Sequence, residues 1–208
     1  LLLSIINNVL DMARIESGRM EIDENYCRIE DVWKSLFAVF DEKARKKNIS
    51  LHYTMNVEHE HVLTDVTKVK EILVNILSNA IKYTPSGGSV MMSVDELPCD
   101  EPGYMIVRNR VSDTGIGMSK EFLKHIFEPF AQERADARSN YHGTGLGMAI
   151  VKKMIDKMGG TISVTSEVGK GSIFVVELPF EMGAAPEKSK KEEADKENSI
   201  HGLNLMLV

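Results

Sequence analysis

Apolar residues at the start of the chain recur in two adjacent helical stripes. Leu3, Ile6, Leu10 and Ala13 stand at steps of three and four, and Leu2, Ile5, Val9 and Met12 repeat the same steps beside them. A helix resting on one surface needs a single stripe, so two predict a bundle-forming helix over residues 1–20, stopped by Ser17-Gly18. Its partners are expected in a second copy of the chain or in a first hairpin helix outside this sequence. From Cys27 to Pro179 the periods alternate. A short strand near 26–29 leads into a helix with Val32, Leu36, Phe40 and Ala44 on one face, and "ISLHYTM" and "HVLT" then read as strands. Thr64 or Asp65 caps the next helix. "GSVMMSVDEL" and "YMIVRNRVSD" form two strands, a helix spans 143–158 up to Gly159-Gly160, and "TISVTSE" and "SIFVVELP" make a hairpin across "VGKG". Strands in adjacent runs with helices between them predict an α/β fold, a two-layer sandwich of a mixed sheet with helices on one face.

The helix containing "NILSNAIKYT" departs from its own pattern. Ile76, Leu77, Ala80 and Ile81 fill most of its surface, yet Glu71, Asn75, Asn79 and Lys82 follow steps of four, four and three and line one edge. A carboxylate, two amides and an ammonium on a helix otherwise built for burial predict a site rather than a solvated face.

Composition adds boundaries. The 208 residues suffice for one full domain with appendages, and a net charge of −6 argues against nucleic acid or an anionic membrane surface as the main partner. Cys27 and Cys99 match no zinc spacing or disulfide framework. They fit packing roles in a reducing compartment, so a cytoplasmic location is expected, with anchoring of the intact protein to the inner face of a membrane left open. No apolar run reaches the length of a membrane span, so no membrane contact is expected within these residues. Past Phe180 the composition turns polar and charged. Residues 21–182 are read as the globular domain and 183–199 as a flexible linker, after which "IHGLNLMLV" resumes apolar character.

Four stretches carry the chemistry: the polar-edged helix, "DTGIGM" at 113–118, "FEPF" at 127–130 and "GTGLGMAIV" at 143–151. Gly143, Thr144, Gly145, Leu146 and Gly147 precede a helix start, where unpaired N–H groups and the positive dipole end suit phosphate. No Gly-Lys-Ser/Thr follows, which excludes a Walker loop. Asp113 stands at a strand end, where its carboxylate can accept from an exocyclic amine such as that of adenine, and Gly115 and Gly117 let a flat base lie against the backbone. Asn75 offers an oxygen of the type Mg²⁺ takes alongside water and phosphate.

In order and spacing, these stretches resemble the N, G1, F and G2 boxes of sensor histidine kinases, and "NNVLDMARIESGRMEI" resembles the end of their second dimerisation helix. The resemblance implies an ATP-binding Bergerat fold. It further implies that Asn75 ligates Mg²⁺, that Asn79 and Lys82 hold phosphates, that Asp113 takes the adenine amine, and that Tyr83 lines the pocket. Ser172 falls where the family often places a threonine near the base. The lid of the fold corresponds to residues 131–142, which also read as an ordinary solvated loop. By the same resemblance the intact protein is a two-component kinase, dimeric through its first helix, that passes phosphate to the receiver domain of a response regulator. Residues 200–208 resemble the opening strand of such a receiver, and a tail that merely ends apolar is the alternative.

The family's phosphoacceptor, a histidine followed by an acidic residue on a helix, has no counterpart here. His59 precedes Glu60 but lies between strand-like runs, and His59 with His61 lacks a third metal ligand. The expectation is therefore an ATP/Mg²⁺-binding domain that phosphorylates a histidine outside this sequence. Two alternatives are an ATPase that uses Glu71 as general base and a non-catalytic dimerising scaffold.

Overall fold

The computed structural model describes residues 9–10, 12–14, 17–133 and 144–183. Gly143, residues 134–142 of the expected lid, and the linker and receiver-like strand beyond Gly183 lie outside them. Seven strands form one sheet: β1 (Asn25–Arg28), β2 (Ser50–Asn56), β3 (His61–Thr64), β4 (Ser89–Pro98), β5 (Tyr104–Asp113), β6 (Thr161–Glu167) and β7 (Gly171–Met182). Their order is β1-β3-β7-β5-β4-β2, with β6 also on β7; β2 and β4 run parallel and the other neighbours antiparallel. Besides the helical residues near the N-terminus, four helices accompany the sheet among the described residues: α1 (Ile29–Lys46), α2 (Val66–Tyr83), the single turn α3 (Lys120–Leu123) and α4 (Gly147–Lys157).

Period-two patterning decides which face of the sheet the long helices cover. On β5, Met105, Val107, Asn109 and Val111 are buried, and on β7 Phe174, Val176, Leu178 and Phe180 are. Against this face α1 lays the four positions read from its period together with Ile29 and Trp33, and α2 lays Ile72, Leu73, Ile76 and Leu77. Each Val, Leu, Ile, Met or Phe among them stabilises the fold by about 1.5–3 kcal/mol when fully buried. A polar group on β5 sits inside the layer among these apolar side chains. Asn109, 1% exposed, accepts the indole N–H of Trp33 at 2.5 Å, so the largest core side chain has its donor satisfied.

Several expectations hold in detail. Helical backbone at residues 9, 10 and 12–14 ends where Gly18 takes φ +69° and Arg19 N–H donates to Arg14 O at 3.0 Å, closing the helix at Ser17-Gly18. Of the two cap candidates, Asp65 is the one used. Its Oδ1 accepts from Lys68 N–H at 3.0 Å, and its Oδ2 accepts from Asp23 N–H at the same distance. Asp65→Ala removes both bonds from a carboxylate only 4% exposed and is expected to destabilise the domain by about 2 kcal/mol, read as a lowered urea midpoint at unchanged slope.

One boundary is corrected. The last helix starts at Gly147 rather than 143, because Gly145 takes φ +71° and breaks any helical run through the "GTGLG" stretch. At the far side, Gly183 N–H donates to His61 O at 2.9 Å, and a side chain at Gly183 would strike the Tyr26 ring at 2.6 Å. The chain thus leaves β7 beside β1, where it entered the sheet.

Candidate functional site

The polar edge of α2 exists as read. Glu71, Asn75, Asn79 and Lys82 are all half-buried, on a helix whose opposite side is core. Glu71 pairs with Lys68 one turn back at 3.1 Å. Asn75 Nδ2 donates to Glu71 O at 2.9 Å, which turns Oδ1 outward toward the start of α4. A Cβ on Gly147 would come within 3.0 Å of that oxygen, so Asn75 approaches the start of α4 this closely because residue 147 is glycine. Leu146, 2% exposed, anchors the helix start in the core, and no side chain caps the first amides of α4. Thr144 Oγ1 accepts from Leu146 N–H at 3.3 Å and shapes the approach. At Gly145 any Cβ would meet the backbone carbon of Phe130 at 2.7 Å. Phe130 N–H donates in turn to Gly145 O at 3.0 Å, which joins "FEPF" to "GTGLG".

The second half of the site is a row across the rim of the helix-covered sheet face. Val90, Asp113, Ser172 and Ser166 are cross-strand neighbours on β4, β5, β7 and β6. Asp113 Oδ1 accepts from Gly115 N–H at 2.8 Å, and Ser172 N–H also reaches the carboxyl. Burial pushes the Asp113 carboxyl above its ordinary value, with those two amides pulling the other way. Gly117, at φ +67°, passes so close to the β6–β7 hairpin that a Cβ would lie 2.0 Å from Glu167 O. Ser166, which the sequence did not single out, holds this rim together. Its hydroxyl accepts from Met118 N–H at 2.9 Å, donates to Gly171 O at 2.8 Å and lies 3.0 Å from Ser172 Oγ. Ile116 N–H donates to Tyr83 O at 3.2 Å, so the "DTGIG" loop leans on the end of α2. There Lys82 Nζ sits 4.8 Å over the Tyr83 ring.

Two walls therefore meet. One, from α2 and α4, offers an amide oxygen, an ammonium and open backbone amides. The other, at the sheet rim, offers a desolvated carboxylate beside glycine backbone. The first suits a phosphate chain with a hard cation and the second a base with an exocyclic amine. Elsewhere, His59 is exposed and its Nδ1 lies 2.6 Å from Glu96 Oε1; no group of three metal-ligating side chains occurs among the described residues. No helix among them is long and apolar enough to cross a membrane.

Comparison with known proteins gives the family and the fold. The family described as histidine kinase-, DNA gyrase B-, and HSP90-like ATPase matches residues 64–182. The autoinducer 2 sensor kinase/phosphatase LuxQ of Vibrio vulnificus (strain YJ016) is 33% identical over 210 residues, covering all of this chain and 24% of LuxQ. Full-length ShkA, solved in complex with AMPPNP, superposes with a TM-score of 0.74 at 32% identity, over 89% of this chain and 37% of that one. Histidine kinase ThkA, solved with the response regulator protein TrrA, gives 0.64 at 26% identity, over 86% and 47%. The chain spans about a quarter of the length of the LuxQ proteins it matches.

Proposed function

The chain belongs to the histidine kinase-, DNA gyrase B- and HSP90-like ATPases and carries a histidine kinase catalytic domain, and from that premise we propose that it binds ATP with Mg²⁺ and delivers the γ-phosphate to a histidine on a dimerisation helix. One observation carries the reading: Asn75 Oδ1 faces the start of α4, which has no side-chain cap, in a close approach that Gly147 permits. Asn75 would hold Mg²⁺, which when bound neutralises phosphate charge. Asn79 and Lys82 would align the phosphate chain, and the amides of α4 would take up charge on its oxygens. Asp113 would orient the base through its amine, with Gly115, Gly117 and Ser172 around it and Tyr83 along the side. The chain's work is positioning and charge stabilisation for an in-line displacement.

The acceptor histidine lies elsewhere in the intact protein. Of the histidines among the described residues, His52 is on β2, His61 is on β3, His59 is engaged by Glu96, and His125 pairs with Glu128 at 2.9 Å in a turn, so none of these sits on a helix of the bundle type. Val9 and Leu10, about half exposed on the N-terminal helix, support pairing with a second copy there. The complex of ThkA with TrrA supports a receiver domain as the onward acceptor. Calorimetric titration tests the reading. A non-hydrolysable ATP analogue is expected to bind at one saturable site, more tightly with Mg²⁺ than with EDTA. Absence of binding at millimolar analogue overturns it.

A further inference from the structure

A helix ends with four carbonyls that lack intrahelical partners, and in a buried setting each needs another donor. On α2 all four have one. Ala80 O accepts from Thr84 N–H at 3.1 Å and from its hydroxyl at 2.7 Å, while Tyr83 O accepts from Ile116 N–H at 3.2 Å. Between them, Ile81 O and Lys82 O both accept from Lys47 Nζ, at 2.8 and 2.7 Å. Lys47 comes from a different element, the turn that closes α1. That turn is itself fastened to the loop after α2: Asn48, at φ +57°, accepts Gly87 N–H on its carbonyl at 2.7 Å, and Ser50 N–H donates to Gly88 O at 3.0 Å. A cation at a helix C-terminus also opposes the negative end of the dipole. Burial pulls the Lys47 ammonium below its ordinary value, so the carbonyls must offset a desolvation cost, and a group held in that way fixes what it touches.

Lys82 and Tyr83 belong to the phosphate wall, and Ile116 belongs to the loop that follows Asp113. The carbonyls taken by Lys47 therefore lie at the joint between the two walls of the site. We infer that Lys47 is a positioning residue for nucleotide binding, setting the spacing between the end of α2 and the "DTGIG" loop without touching the nucleotide.

The inference rests on the nucleotide reading above. Lys47→Met is expected to raise the dissociation constant of the Mg²⁺-bound ATP analogue about tenfold, and Lys47→Arg, which can still donate to both carbonyls, by less than about threefold. Phe180→Leu, in the core at the opposite end of β7, serves as a variant of lowered stability that leaves the joint intact. It is expected to bind the analogue as the unaltered chain does. In the absence of nucleotide, hydrogen exchange at the Ile116 amide is expected to accelerate in Lys47→Met but not in Phe180→Leu when both are compared well below their melting temperatures. Unchanged affinity in Lys47→Met, or equal weakening in Phe180→Leu, overturns the role of Lys47 alone. Failure of the unaltered chain to bind the analogue removes the nucleotide reading and this inference together.

Discussion

Asp113→Asn is expected to weaken ATP binding by about 50-fold while raising the melting temperature by about 2 °C. The two effects share one cause. The carboxylate is a pure acceptor held by Gly115 and Ser172 amides at a rim where burial disfavours its charge. Asparagine keeps an oxygen for one of those amides but can present N–H groups to an amine that needs an acceptor, so recognition is lost. The stability gain follows from linkage. Between the ordinary carboxylate value and the raised folded one, the folded chain keeps a proton that the unfolded chain has released, so stability declines as pH rises through that window. At neutral pH the charge is therefore a burden on the fold, and a neutral side chain relieves it. The pH dependence of binding in the unaltered chain carries the same signature: affinity for ATP should begin to fall, on acidification, at a higher pH than an unperturbed aspartate would give. Differential scanning calorimetry and a pH series of analogue titrations check both arms. A destabilised Asp113→Asn that still binds ATP contradicts both.

Asn75→Ala should reduce phosphoryl transfer from ATP to a supplied histidine-bearing dimerisation segment by about 100-fold, and should remove the benefit of Mg²⁺ to analogue affinity. The side chain is half-buried, and among the described residues it bonds to Glu71 O alone, so the expected change in stability is within about 1 kcal/mol. Loss of the Mg²⁺ effect without loss of the fold separates a metal-facing amide from a structural one. Radiolabel transfer and paired titrations in Mg²⁺ and EDTA measure it.

Much of this site was legible because its chemistry is local. Steps of four, four and three place Glu71 to Lys82 on one edge whatever the rest of the fold does, and strand alternation puts Met105, Val107 and Val111 on one face of β5. Helix stripes identified the buried face of α1 in the same way. Illegible were the pairings made at long sequence separation. Lys47 reads as one more cation in "KARKKN", and nothing in its neighbourhood announces carbonyls 34 and 35 residues away. Asp65 is visible as a cap, but its bond to Asp23 is not. Asn109 occupies a core position of β5, and only the approach of Trp33 explains a polar residue there. Ser166 looks like an ordinary strand serine until β7 and the "DTGIG" loop are both beside it. The strand order is likewise a long-range property, since alternation specifies faces and not neighbours. The misplaced start of α4 has a local cause: the helical period of "MAIV" does not say how far back it runs through the glycines before it, and the positive φ of Gly145 separates loop from helix.

The meeting of Gly183 with Tyr26 and His61 bears on how this unit can be handled. Ten residues of β7 separate Ser172 from Met182, or about 33 Å at the usual rise of a strand. The exit from β7 at Gly183 therefore lies remote from Asp113 and Ser172. A fluorophore, affinity tether or fused protein grafted at that exit leaves the cleft clear.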